Sequence, residues 1–133
     1  MLGKWSYDYS IIPHKGDWKE AFQLAYAFET PLRAVTTAIR PGELALKGSF
    51  ISHTPEEFVI SAVKEAENGE GWIVRGYNTS SETIQLNLRP LLKFENVMQV
   101  NLAEEPIAAL HAGDNSIISI SVPGHRVVSI MFS

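Results

Sequence analysis

The side chains able to do chemistry in this chain of 133 residues are four histidines, fifteen acids and three tryptophans, with no cysteine. Thiolate nucleophiles and disulfides are therefore excluded. His14, His53, His111 and His125 are scattered, never in the H-x-x-x-H spacing that puts two imidazoles on one helix face around a metal. Each reads as a turn or surface histidine, so no metal ligand is assigned. Glu56-Glu57, Glu65, Glu67, Glu70 and Glu104-Glu105 invite the idea of a carboxyl pair for glycoside cleavage. That chemistry needs two carboxyls about 5–10 Å apart in a cleft, one of them with a raised pKa. These glutamates fall in turns or at strand ends, where solvated acids belong, and no catalytic residue is assigned.

Trp5, Trp18 and Trp72 have rings that could stack on a sugar, although a tryptophan at an alternating or helical apolar position is more often core. Trp72 is the candidate for sugar stacking, because it alternates with Ile73 and one of the two must face outward. His14 with Asp17 could reach a neighbouring domain or a substrate; the plainer reading makes Asp17 a helix cap. No serine sits in a nucleophile-elbow context. The glycine-rich turn from Asn68 to Gly71 is not followed by a helical pattern, so it is no phosphate loop. Asn78-Thr79-Ser80 matches a glycosylation triplet, a match common by chance.

The net charge of −4 and the pI near 5.5 argue against nucleic acid, which calls for a basic stripe. No apolar run approaches the roughly 18 residues of a membrane span. The N-terminus, MLGKWSYDYS, is polar and aromatic, unlike a secretory signal. A soluble, cytoplasmic chain is expected.

These residues need elements to position them. Trp5, Tyr7, Tyr9 and Ile11 alternate with Ser6, Asp8 and Ser10, which predicts a half-buried strand ended by Pro13. Asp17 then suits a helix N-cap, with Glu20 three residues on as in a capping box. Trp18, Ala21, Phe22, Ala25 and Tyr26 recur at helical spacing until Thr30-Pro31 stops them. Arg40-Pro41-Gly42-Glu43 is a turn and divides the chain into residues 1–40 and 43–133. Beyond it the pattern is β. A strand is expected over Glu43–Ile51. A hairpin follows, with Phe58, Ile60 and Ala62 on one face and Val59, Ser61 and Val63 on the other. Its turn carries Asn68-Gly69, both tolerant of positive φ. Further strands are expected over Thr83–Arg89, Phe94–Leu102, Ser116–Val122 and Arg126–Phe132, the last apolar on both faces. The fold class is all-β: an antiparallel β-sandwich of about seven strands, preceded by one strand and one short helix.

Three segments carry a family resemblance. Tyr9-Ser10-Ile11-Ile12-Pro13-His14-Lys15-Gly16-Asp17-Trp18 resembles the Y-x-(apolar)-x-P-H-x-G-D-W segment of glycoside hydrolase family 38, the zinc-dependent retaining α-mannosidases. Ser49-Phe50, Ser61-Ala62-Val63-Lys64, Ala66-Glu67, Gly69, Gly71, Ile73-Val74-Arg75 and Tyr77 keep the order of a second family segment. Val100-Asn101-Leu102-Ala103-Glu104-Glu105 is similar to an acidic linker of the family. The resemblance implies the C-terminal β region of such an enzyme, with residues 1–40 akin to the end of a preceding sandwich. It implies that zinc and the catalytic aspartates belong to a catalytic domain outside these residues, on this chain or on a neighbouring one, and that no cofactor is held here. The implied role is structural and accessory. The implied partner is the catalytic domain of the parent glycosidase, with Tyr9, Pro13, His14, Gly16, Asp17 and Trp18 as interface candidates. The exposed aromatic face of the first thirty residues suggests a homo-oligomer as well. The alternatives are a stand-alone carbohydrate-binding sandwich and a general protein-interaction module.

Overall fold

A computed structural model describes residues 3–133. They divide into two compact units, one ending at Glu43 and the other running from Leu44 to Ser133.

In the first unit Asp17 does cap a helical turn. Its Oδ1 accepts from the Lys19 amide at 2.8 Å, opening a 3₁₀ turn over Trp18–Glu20 that leads into helix α1, Phe22–Glu29. Thr30, ahead of Pro31, closes it: its amide and its hydroxyl both reach the Tyr26 carbonyl. The strand expected over Trp5–Ile12 does not form, and this is a correction to the sequence reading. The segment takes part in no ladder, and Trp5, Tyr7, Tyr9 and Ile11 are all exposed. Alternation marks a chain that can be half-buried; a strand also needs a neighbour to take its amides and carbonyls.

The second unit is a two-sheet sandwich of eight strands. They are β1 (Ile51–Thr54), β2 (Phe58–Glu65), β3 (Trp72–Asn78), β4 (Ile84–Pro90), β5 (Val97–Val100), β6 (Pro106–Ala109), β7 (Ile118–Val122) and β8 (Val127–Phe132). One sheet has the order β1-β4-β7 and the other β2-β3-β8-β5-β6; every pairing is antiparallel. The strictly alternating residues face inward between the sheets. Leu86 and Leu88 of β4, Ile118, Ile120 and Val122 of β7, and Val128, Ile130 and Phe132 of β8 form one core with Phe58, Val74 and Val97. Strand β8 lies between β3 and β5, and from Val128 to Phe132 it is buried on both faces. Its Met131 joins Ile73, Ala66 and Val100 in a smaller cluster away from that core.

Three local expectations change. A bulge between Ile60 and Ala62 shifts the β2–β3 register. Val63 thereby lies opposite core residue Val74, and Ala62 opposite Arg75, which reverses the faces read from simple alternation. The hairpin turn does not use Asn68 at positive φ; Gly69 and Gly71 take that conformation instead. Asn68 contributes its side chain, whose Oδ1 accepts from the Glu70 amide at 3.0 Å. Gly71 has a second constraint, since a Cβ there would run into the Phe132 carbonyl. The first β strand starts only at Ile51, leaving Leu44 and Leu46 exposed. The strand beyond the seven expected is β6, short and exposed, which pairs at the edge with β5. No helix among the described residues is long and apolar enough to cross a membrane.

Candidate functional site

Two places in the sandwich gather functional side chains. The first is a charged clasp that ties the β2–β3 hairpin to the loop after β5. Its base is Lys64, near the end of β2. The Lys64 ammonium pairs with Glu67 in the hairpin turn and with Glu104 Oε1 at 2.8 Å. Glu104 Oε2 accepts from the Glu67 amide at 2.7 Å. Asn101 shapes the loop that presents Glu104: its Oδ1 accepts from the amides of Ala103 and Glu105, at 2.8 and 3.0 Å. Glu104 itself takes a left-handed backbone, φ 65°. On β3, Arg75 donates to Ser129 Oγ at 2.8 Å and to the Leu102 carbonyl at 3.3 Å.

The electrostatics of the clasp follow from these contacts. The Glu67 amide, then Lys64, hold the Glu104 carboxyl below its usual range. Glu104, then Glu67, hold the Lys64 ammonium above its own. Both groups are fixed in their charged forms. A glycosidase acid needs the opposite, a carboxyl kept protonated near neutrality. The contacts of the clasp fasten the loop after β5 to the β2–β3 hairpin.

The second place is an apolar hollow of about 420 Å³ lined by Phe50, Ile51, Val63, Lys64, Glu65, Trp72 and Leu92. The bulge in β2 helps to make it, because it moves Val63 to the Phe58–Ile60 face. Phe50, Val63 and Leu92 stay exposed at its rim. Trp72 forms part of the wall. One face of its indole lies flat on Phe132, with ring centroids 4.2 Å apart and 12° between planes. Phe132 also receives Phe94 edge-on, so the Trp72 ring is already committed to the core on that side.

The residues singled out from the sequence near the N-terminus lie in the first unit. Tyr9 and Pro13 are exposed. The His14 ring has one weak contact, 3.4 Å from Nδ1 to the Lys15 carbonyl, and does not reach Asp17, whose carboxylate caps the 3₁₀ turn. Gly16 has φ 82°, and the Glu20 carboxylate lies over it. Trp18 is exposed and meets Phe22 edge-on at 5.8 Å. Among the described residues no three His, Asp or Glu side chains come together as a metal set. Asn78 is 1% exposed, and its Nδ2 donates to the Glu82, Val122 and Pro123 carbonyls. In the folded chain it is a structural amide and no glycosylation acceptor.

The family model described as "Glycosyl hydrolases family 38 C-terminal beta sandwich domain" matches residues 57–130, from the start of β2 into β8. The chain is also similar to Alpha-mannosidase G of Dictyostelium discoideum, 27% identical over 116 residues. That stretch is 78% of this chain and 10% of the Dictyostelium protein, so the chain spans about a tenth of this relative's length.

Proposed function

This chain belongs to the C-terminal β-sandwich domains of family 38 glycosyl hydrolases, and on that premise we propose that it serves a longer α-mannosidase-type enzyme as a non-catalytic accessory domain. The observation that carries this reading is the apolar hollow at Phe50, Val63, Trp72 and Leu92. Exposed apolar surface gathered in one concave place marks a seat for another protein segment. Its partner would be the body of the parent enzyme, where the zinc and the hydrolytic carboxylates would reside. The clasp supports the same reading, since the carboxyl whose titration it moves is lowered and so unsuited to act as an acid. Sugar binding at Trp72 is less well supported: one face of the ring is already stacked on Phe132.

The test is association. The 133-residue chain is mixed with the catalytic portion of a family 38 α-mannosidase from the same source, and complex formation is followed by analytical ultracentrifugation. Val63→Asp and Leu92→Asp place a charge in the hollow at exposed positions, so both variants should keep the wild-type unfolding midpoint and lose the complex. Undiminished complex formation by both variants would move the interface elsewhere.

A further inference from the structure

The outer face of the three-stranded sheet carries a second, chemically different surface. Register fixes its geometry. Ser52 of β1 lies opposite Arg89 of β4, and Thr54 opposite Asn87. Residues two apart on a strand share a face about 7 Å apart, and direct cross-strand partners stand about 5 Å apart. These four side chains are therefore the corners of one small patch. Two adjoining hollows open on it, about 400 and 170 Å³, and both are lined by Ser52 and Arg89. Asn115 and Ser116, with left-handed φ of 57° and 59°, border the larger one.

The patch is rich in donors and poor in acceptors. No carboxylate lines either hollow. Among the described residues the Arg89 guanidinium has no ion-pair or hydrogen-bond partner, although the chain carries a net charge of −4. Asn87 Oδ1 is taken by the Ser119 hydroxyl at 2.7 Å, which leaves its amide N–H groups to donate outward. Contrast Arg75, on the other sheet, whose donors are spent on Ser129 and Leu102. The Ser52 hydroxyl leans on the Arg89 carbonyl at 3.5 Å, a long contact that an incoming anion can replace. A planar guanidinium on a strand, flanked by the Asn87 amide and the Thr54 and Ser52 hydroxyls, matches a tetrahedral or planar oxyanion that takes paired hydrogen bonds.

We infer that Arg89, Asn87, Ser52 and Thr54 form an oxyanion-binding site on the outer face of the β1-β4-β7 sheet, for a phosphate or carboxylate group either free or borne by a sugar. The test is an amide-resolved NMR titration of the 133-residue chain with inorganic phosphate, glucose 6-phosphate and glucose. Phosphate and glucose 6-phosphate should shift the Ser52, Asn87, Arg89 and Ser116 signals and saturate with a dissociation constant on the order of 1 mM. Tighter binding of glucose 6-phosphate than of phosphate identifies a sugar-borne group; equal binding identifies the free ion. Arg89→Gln should abolish saturation, Arg89→Lys should weaken it by about tenfold through loss of the fork, and Arg126→Gln, at a distant exposed arginine, should leave it unchanged. Shifts by glucose alone at these signals would overturn the inference. So would saturation that survives Arg89→Gln, or an equal loss in Arg126→Gln.

Discussion

Two stretches of this chain carry the same period-two signal and meet different fates. Trp5, Tyr7, Tyr9 and Ile11 alternate with polar residues just as Ile84, Leu86 and Leu88 do. In the first unit the alternating aromatics stay in solvent, Tyr7 and Tyr9 at 82% and 85% exposed. In the sandwich Leu86 and Leu88 are wholly buried. The difference is the ladder. Strand β4 has β1 on one side and β7 on the other, so its backbone is satisfied and its apolar face is held against a second sheet. The N-terminal segment has no such neighbours among the described residues. Side-chain pattern selects which face will be buried; burial itself requires a backbone partner.

The largest effect expected is at Leu86. Leu86→Ala should cost roughly 2–5 kcal/mol in urea unfolding, the range for leucine truncation in a packed core. Tyr7→Ala should shift the midpoint hardly at all. Equal shifts for the two variants would break the comparison, because they would place Tyr7 in a packed environment. Asn78→Ala should rank next. It removes the buried bond to the Val122 carbonyl and the part-buried bonds to those of Glu82 and Pro123, and an unsatisfied buried polar group costs about 1–3 kcal/mol. Thermal unfolding checks this, and mass spectrometry after secretory expression should find Asn78 unmodified.

The comparison also shows which parts of the molecule were readable from residues alone. Strand β4 was legible because each of its faces has one chemical character. Strand β6 was not, since Pro-Ile-Ala-Ala has no alternation and all four residues are exposed. The faces of β2 were misread after Ile60, because a bulge is a property of the ladder and leaves no mark in the pattern of one strand. At the hairpin, Asn68-Gly69 announced a turn correctly but not which residue would take positive φ. The clasp was hidden for another reason. Lys64 and Glu104 are far apart in sequence and meet only through the sheet, and Glu104 looked like any solvated acid in a linker. The outer-face patch at Arg89 depends on cross-strand register, which the sequence does not state.

A pH series sharpens the contrast within the sandwich. Glu104 is held below its ordinary value of 4.5, so its stabilisation is present above that pH and is lost as pH falls through the lower folded value. Lys64 is held above its ordinary 10.5, so its share is present below that pH and is lost as pH rises through the higher one. The clasp is at full strength between these limits. Glu104→Gln should lower the urea midpoint by a constant amount across neutral pH, and the gap to wild type should close below pH 4.5. A gap that widens in acid would reverse the assigned sign. The smallest effect is expected at Asp17. Asp17→Ala removes the bond to the Lys19 amide, a cap worth about 0.5–2 kcal/mol at a helix start and here placed on the 3₁₀ turn that leads into α1. Hydrogen exchange over Phe22–Glu29 should quicken while the unfolding midpoint of the sandwich stays put.

The accessory reading itself stands on whether these residues can hydrolyse anything. A nitrophenyl α-mannoside assay on the purified 133-residue chain, with and without added zinc, asks this most directly. The predicted result is turnover no faster than buffer in both conditions, with activity appearing only when the catalytic portion of the enzyme is supplied. Turnover by the chain alone that chelator abolishes, and that follows the chain through purification, would contradict the account.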